Sequence, residues 1–324
     1  MIILPRPYPD EVIGSVLARG ARRLGLSWAR LLQLAAGRAP SSVPFLMPFA
    51  LDRLARCTGT DPEYLLERHT LFPYAVAFMS LDRRNAFKDR ALRDGNDCGL
   101  DTLARVVLGS TPYRRVCSMC MKEDLRVRGE TYWRRSHLLP GVHVCLTHQI
   151  KLRETVIPLQ GGRNSSDSWL PAETPLATSD WRLSMDLLES MALHSVRAML
   201  RVPAERDWIE RYYVACFALG YALRTRALSS MAVAVDIKRF YGDDFLRSMN
   251  ASVDLDHKSP WPALLVRPQY QMRVGAPKHI LMLTFIEHAP PVMTLAHARY
   301  EPPGPRRRDY RLSYARIETM RCRI

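Results

Sequence analysis

Three cysteines and one histidine near the middle of the chain have the spacing of zinc ligands. Cys117 and Cys120 are separated by two residues, and Cys145 and His148, again separated by two, follow after 24 intervening residues. A two-residue spacer lets both side chains of a pair reach one ion, and zinc prefers thiolates and imidazoles as ligands. The pattern predicts one structural zinc ion in a small CCCH ribbon, bound by all four side chains.

Two alternatives accompany this interpretation. The cysteines could instead be small apolar residues of a core, but charged residues such as Lys122, Glu123 and Asp124 crowd the segment and are poor material for one. His137 and His143 are alternative ligands, although neither lies two residues from a cysteine.

The sequence carries no recognisable catalytic motif. It has no phosphate-binding P-loop, Rossmann glycine pattern, nucleophile elbow or H-E-x-x-H helix, and no carboxylate spacing that marks a two-metal nuclease. A site assembled from three distant carboxylates would leave no such signature. The four protein ligands of the predicted zinc leave no open position for a substrate, as in structural sites. We predict that the protein is not an enzyme.

The chain is strongly basic. Its 324 residues carry a net charge of +15, and 41 of the 47 basic residues are arginine, since only 6 are lysine. A GC-rich gene can supply an excess of arginine, but the net charge favours a polyanionic partner, and we predict double-stranded DNA. The arginines predicted to contact DNA surround the zinc segment or end the first helix. They are Arg22, Arg23, Arg114, Arg115, Arg126, Arg128, Arg134 and Arg135.

Composition indicates an ordinary folded protein. Hydrophobic residues make up 47% of the chain, and its seven cysteines are an odd number with no regular disulfide spacing. The opening residues lack the layout of a signal peptide, and the apolar run 212–223 is too short to cross a bilayer. We predict a soluble, cytoplasmic, nucleoid-associated protein without membrane contact.

Two helix pairs precede the zinc segment. Apolar residues at helical spacing over 10–36 predict two helices, with Asp10 capping the first, Gly25 ending it and Ser27 capping the second. Residues 48–69 repeat the layout, with a break at Gly59 and a cap at Asp61. A short turn between two amphipathic helices is typical of helix-turn-helix units, and a small helical bundle is the alternative for residues 48–69. Of the residues that follow Asp61, we predict that Tyr64, Leu65 and Leu66 face the core.

The second half of the chain is predicted to form a separate helical domain. We predict an N-terminal domain over 1–155, a Pro-, Gly- and Ser-rich linker over 156–180, and helices over 181–324 that end in a basic tail. The fold class is therefore mainly α, with helix-turn-helix-like units, a small zinc ribbon and a helical C-terminal domain.

Two phrases of the sequence resemble a known family. The opening LPRPYPDEVIGSVLARGARRLGLS and the segment VCSMCMKED…GETYWRRSHLLPGVHVCLTHQIKL are similar to the TniQ/TnsD family of transposon target-selection proteins. Weaker similarity extends to FYGDDFLRSM, Trp261 and APKHILMLTFI in the second half. The resemblance implies that Cys117, Cys120, Cys145 and His148 are the zinc ligands.

The resemblance also implies a role and partners. Family members mark a target site and recruit an AAA+ ATPase regulator that brings in the transposase. Some bind an attachment site on DNA directly, whereas others bind an RNA-guided CRISPR effector complex, often as a homodimer, and link it to the ATPase. Because of the basic charge we predict direct DNA binding, with the CRISPR-associated adaptor as the alternative.

Overall fold

The computed structural model describes residues 2–37, 45–93, 113–159, 168–177, 183–200, 208–221, 229–257, 259–266 and 274–290. The fold is mainly helical with short antiparallel strands, which confirms the predicted class. Three features of the sequence lie outside the described residues: Cys98, a short helix that the sequence indicates over 100–108, and the basic tail. No helix within the described ranges is long and apolar enough to cross a membrane.

Within the described residues, the N-terminal half combines six helices with the cysteine-rich segment. The helices are α1 (Ile13–Leu24), α2 (Trp28–Ala36), α3 (Leu51–Thr58), α4 (Pro62–His69), α5 (Phe72–Ala75) and α6 (Leu81–Arg93). The cysteine-rich segment follows as β1 (Tyr113–Val116), α7 (Ser118–Arg128), α8 (Arg135–Leu138), β2 (Val144–Cys145), β3 (Ile150–Lys151) and β4 (Arg153–Pro158). The first strand pairs with the fourth, and the second with the third, both antiparallel.

In the part of the second half that the structure describes, there are a short 3₁₀ turn and six helices. They are the turn Pro171–Glu173, α9 (Met185–Leu200), α10 (Trp208–Ala218), α11 (Ser230–Tyr241), α12 (Asp243–Ser248), α13 (Trp261–Leu265) and α14 (Ala276–His288). Gly242 separates α11 from α12, as the sequence predicts.

Local signals at the helix ends were mostly correct. Gly25 and Gly59 adopt the left-handed conformation that ends α1 and α3, and the side chains of Ser27 and Asp61 accept backbone N–H groups of α2 and α4. The prediction that Asp10 caps α1 is wrong. The residue at the cap position is Val12, and its side chain makes no hydrogen bond to the helix.

The prediction that Tyr64 faces the core is also wrong. Leu65 and Leu66 are fully buried, but Tyr64 is 52% exposed. The helix α4 is only eight residues long, and the three consecutive positions cannot all face one side of it.

Two groups of buried apolar side chains form the core. The first joins α1–α5 with the cysteine-rich segment, and the second joins the C-terminal helices α10–α14. Helix α9 contributes to both, because it packs against α5 and β2 as well as against α14. The two halves of the chain are therefore in direct contact through α9.

Part of the segment predicted as a linker packs on the N-terminal half. The indole Nε1 of Trp133 donates to the carbonyl of Trp169 at 2.8 Å, and the amide of Ala172 donates to the Thr131 hydroxyl at 3.0 Å. Leu176 also bridges to Thr155 of β4. Residues 168–177 are thus held by backbone hydrogen bonds beside the cysteine-rich segment.

Helix α1 packs tightly at one glycine, and we expect Gly14→Ala to destabilise the protein by about 1–3 kcal/mol through overpacking. A Cβ at Gly14 would lie 2.3 Å from the ring of Phe45, which is itself buried. Gly20→Ala is the milder comparison in the same helix, because its Cβ would meet the end of the Leu4 side chain at 2.6 Å and Pro5 at 3.4 Å rather than a rigid aromatic ring. Urea unfolding of both variants checks the prediction, and equal stabilities would contradict it.

Candidate metal centre and the basic surface beside it

The structure brings the four predicted ligands together. The sulfurs of Cys117, Cys120 and Cys145 and the Nδ1 of His148 all lie within 4.8 Å of one another. The Nδ1 atom is 3.5, 3.3 and 3.6 Å from the three sulfurs in turn, and the sulfurs of Cys120 and Cys145 are 3.7 Å apart. Ligands at the usual zinc distances of about 2.0–2.3 Å in a tetrahedron lie about 3.5–3.8 Å apart. The donor set and its spacing therefore fit one zinc ion.

Two short backbone turns hold the donors. Cys117 precedes α7, and its sulfur accepts the amide of Cys120 at 3.5 Å. Cys145 ends β2, where a tight turn closed by the Gln149 amide on the Cys145 carbonyl, at 2.7 Å, leads into β3. Each pair thus sits on a local turn, which explains why two-residue spacing is enough to orient both side chains.

The three thiols of the cluster are coupled, and a carboxylate lies behind its histidine. Hydrogen bonding with Cys117 and Cys120 lowers the pKa of the Cys145 thiol, whereas the pKa values of Cys117 and Cys120 are raised. The outer ring nitrogen of His148 lies 3.9 Å from a carboxylate oxygen of Glu123. A carboxylate behind a metal-binding histidine is a common outer partner, since it fixes the tautomer and the ring orientation.

The two alternative histidines have other surroundings. The Nε2 of His137 is 4.0 Å from the sulfur of Cys120, which places it at the edge of the cluster rather than among the donors. His143 is buried, with its Nδ1 3.5 Å from the guanidinium of Arg115 and its ring near Phe245. Among the described residues, the metal-type group consists of the three cysteines and His148.

The two phrases that carry the resemblance meet beside the cluster. The amide of Val12 donates to the carbonyl of Trp133 at 3.0 Å, and the amide of Arg135 donates to the carbonyl of Asp10 at 2.8 Å. The Asp10 carboxylate accepts both the amide and the hydroxyl of Ser136. Asp10 therefore joins the start of the chain to the cysteine-rich segment, which is the role it has in place of capping α1.

A buried ion pair reinforces this junction. Arg19 donates to Glu11 at 2.7 Å and to Glu130, just after α7, at 2.8 Å, and both Arg19 and Glu11 are almost completely inaccessible to solvent. Burial raises the pKa of Glu11 to about 7, although Arg19 opposes the change. The hydroxyl of Ser15 donates to Glu11 and accepts the amide of Trp133. Arg19 therefore lies on the buried side of α1.

Arg19 had a signal in the sequence that went unused. Glu11, Ser15 and Arg19 recur every four residues on the apolar face of α1, and polar residues on a buried face are expected to bond to one another. Tyr8 and Glu130 complete the group, since the Tyr8 hydroxyl donates to Glu130 at 2.9 Å. The sequence could not indicate this contact, because Tyr8 and Glu130 are more than a hundred residues apart along the chain.

Three of the eight arginines predicted to contact DNA are buried. Arg114 lies over the ring of Phe45 at 3.5 Å from the centroid. Arg115 donates to the carbonyls of His137 and Leu139, and burial lowers its pKa to about 10. Arg135 donates to the carbonyls of Glu67 and Thr70. These three guanidinium groups donate to backbone carbonyls or pack on an aromatic ring inside the protein. Because they are buried, they cannot reach a DNA phosphate.

Arg134 is intermediate between the buried and exposed groups. Its two terminal nitrogens each lie 2.9 Å from an oxygen of Asp124, a bidentate pair that is mostly shielded from water. Burial raises the pKa of Asp124 to about 6, and Arg134 opposes that change. The pair connects α7 to the segment before α8.

The other four predicted arginines are exposed and lie at the ends of two helices. Arg22 and Arg23 end α1, and Arg126 and Arg128 end α7. Glu130 joins the two helix ends. Its carboxylate pairs with Arg23 at 2.5 Å and accepts a hydrogen bond from the Tyr8 hydroxyl, and the guanidinium of Arg128 lies 4.4 Å from the centroid of the Tyr8 ring. We call this region, which comprises Arg22, Arg23, Arg126 and Arg128, the α1–α7 surface.

Fold and site together define a class: a mainly helical protein whose N-terminal half is built on a Cys3His cluster of the structural zinc type. The TniQ family model matches residues 2–152, which contain α1–α8 and all four cluster residues. Residues 2–152 of the chain thus carry a TniQ domain. It is similar to the transposon Tn7 transposition protein TnsD of Escherichia coli, with 22% identity over 303 residues. That match covers 88% of this chain and 56% of TnsD, so the chain spans about half the length of this relative.

Proposed function

We propose that this protein selects target sites for DNA transposition by binding double-stranded DNA, and that it recruits an AAA+ ATPase regulator and, through it, the transposase. The single observation that carries DNA binding is the α1–α7 surface, where two helix ends that carry four exposed arginines meet at Glu130 and Tyr8 in a chain of net charge +15. The similarity to a Tn7 transposition protein supports the transposition role.

The zinc ion has a structural role in this proposal. Cys117, Cys120, Cys145 and His148 would hold one ion with a closed ligand set, which stabilises the turn before α7 and the turn after β2. Fixing the start of α7 also fixes the positions of Arg126 and Arg128 near its end. The protein would therefore act without chemistry of its own, by presenting charge and partner-binding surfaces at the nucleoid.

Removal of two arginines should weaken DNA binding uniformly across sequences. We expect Arg23→Ala with Arg126→Ala to reduce the slope of log affinity against log salt by about 2, since each lost phosphate contact accounts for about 0.9. Filter binding or fluorescence anisotropy on duplexes of different sequence measures the slope. Arg239→Ala is the matched control, because Arg239 is an exposed arginine on α11 whose carboxylate partner belongs to the same helix.

An opposite result would favour the alternative role. If the wild-type protein binds none of the duplexes even at low salt, direct DNA recognition is wrong. The adaptor to an RNA-guided CRISPR effector complex would then be the better proposal, and stable co-purification with such a complex would support it. A salt slope unchanged in the double variant would show that DNA binding uses another surface.

A further inference from the structure

A cleft of about 800 Å³ with both polar and apolar walls lies beside the Cys3His cluster, and Cys145 is the one cluster residue that lines it. Its walls come from α4, α7, the segment from Arg134 to His137, the turn after β2 and the C-terminal end of α9. Both halves of the chain therefore form it. Arg128 also belongs to the α1–α7 surface, but no role proposed above uses the cleft itself.

Three large apolar side chains stand exposed around the cleft. Tyr64 of α4 is 52% exposed, and Val127 of α7 and Leu200 of α9 are each 57% exposed. They come from three different helices, so their convergence on one concavity is a property of the tertiary structure. Clustered apolar exposure with a polar surround is typical of protein-binding sites.

The charged side chains that line the cleft leave a net positive charge of one, because four arginines face three carboxylates, those of Asp10, Glu123 and Asp124. Asp124 is paired with Arg134, and Asp10 with Arg135. Arg68 and Arg128 line the cleft as well, and in the described part of the chain neither has a carboxylate within ion-pair distance. These two guanidiniums complement carboxylates on a bound molecule.

His69 adds an unused acceptor to the wall. Its Nδ1 lies 2.7 Å from the carbonyl of Glu11 and must donate to it, which leaves Nε2 as the acceptor. The side chain is 2% exposed, and Nε2 has no hydrogen-bond partner. Burial lowers the pKa of His69 to about 4, so the ring is neutral at pH 7. A buried acceptor without a partner is costly and suits a ligand that supplies an N–H or O–H group.

We propose that this cleft docks a short extended segment of a partner protein, in which apolar side chains alternate with or flank carboxylates. The apolar side chains would pack on Tyr64, Val127 and Leu200, and the carboxylates would pair with Arg68 and Arg128. The concave shape disfavours duplex DNA, which is read by elements that protrude into its grooves. The docking site deepens the recruiting role proposed above and rests on it for the identity of the partner.

Selection of displayed random 12-residue peptides on the zinc-loaded full-length chain tests the proposal. We expect enrichment of sequences that combine Asp or Glu with Leu, Ile or Phe. A synthetic copy of a selected peptide should bind about tenfold more weakly to Arg68→Glu and to Leu200→Ser than to the wild type, whereas Arg239→Glu should leave its affinity unchanged. Arg68 and Leu200 are exposed, so both variants are expected to fold and to retain zinc.

Duplex binding measured on the same variants separates this proposal from the proposed function. Arg68→Glu should keep wild-type DNA affinity, and Arg23→Ala with Arg126→Ala should keep wild-type peptide affinity. Three results would overturn the docking site and leave the DNA-binding proposal intact. They are no enrichment of peptides, selected peptides without acidic residues, and equal affinity of a selected peptide for the wild type and the two cleft variants. Loss of duplex binding in Arg68→Glu, without any effect on peptides, would also overturn it and would assign the cleft rim to DNA.

Discussion

Replacing Cys145 by serine is expected to unfold the N-terminal half of the protein and to lower bound zinc from about one ion per chain to none. The four donors already lie at tetrahedral separations, and Cys145 is the member nearest both α9 and the cleft. Structural zinc contributes about 10–16 kcal/mol in small zinc-binding peptides, which is as large as the whole stability of a typical domain. Metal analysis and far-ultraviolet circular dichroism measure the two effects.

Cys57→Ser provides the matched control for this prediction. Cys57 is also a buried free cysteine of the N-terminal half, but it lies in α3 and outside the metal-type group. The same chemical change there should leave the zinc content at about one per chain, with only a modest loss of stability. A folded Cys145→Ser chain, or a wild-type chain that stays folded after zinc is chelated, would contradict a structural metal.

Arg19→Ala is expected to destabilise the protein by about 3 kcal/mol, although the residue touches no metal ligand. Breaking a buried pair costs about 3–5 kcal/mol because it leaves an uncompensated charge. We expect the lower figure here, because Glu11 can take up a proton when its partner is lost. Burial already raises the pKa of Glu11 to about 7. Urea unfolding of the zinc-loaded protein measures the loss.

The pH dependence of this variant has a definite sign. The pKa of Glu11 is higher in the folded chain, at about 7, than its ordinary value of 4.5, so the stability that Glu11 contributes is complete below pH 4.5 and is lost as the pH rises through 7. Arg19 lowers that pKa, and its removal raises it further. The destabilisation by Arg19→Ala should therefore be larger at about pH 8 than at about pH 5.

Arg23→Ala is the control for the buried pair, because Arg23 bonds to the same Glu130 but is 52% exposed. Its loss should cost less than about 1 kcal/mol, as exposed ion pairs do. Replacement of both Arg19 and Glu11 by Met and Leu should recover much of the loss, since no unpaired charge is left behind. Equal effects of Arg19→Ala and Arg23→Ala would show that burial does not matter at this junction.

The sequence alone was enough to identify the metal cluster and most helix ends. Both depend on short-range geometry. A two-residue spacer places the ligands of each pair on one turn, a glycine such as Gly25 ends a helix by its backbone freedom, and Ser27 caps the next helix from three residues away. Interactions within four residues are specified by the local sequence whatever the rest of the chain does.

Only the tertiary structure decided which arginines are available to a partner. Arg115 and Arg126 look equivalent in the sequence, yet the first donates to two buried carbonyls and the second is exposed on α7. The cost of burying a guanidinium is offset only by partners that arrive from distant segments, as Glu130 does for Arg19 across 111 residues. The same long-range packing closes the cleft between α4, α7 and α9. Spacing along the chain therefore determined the metal site, whereas packing across the chain determined which charges face the solvent.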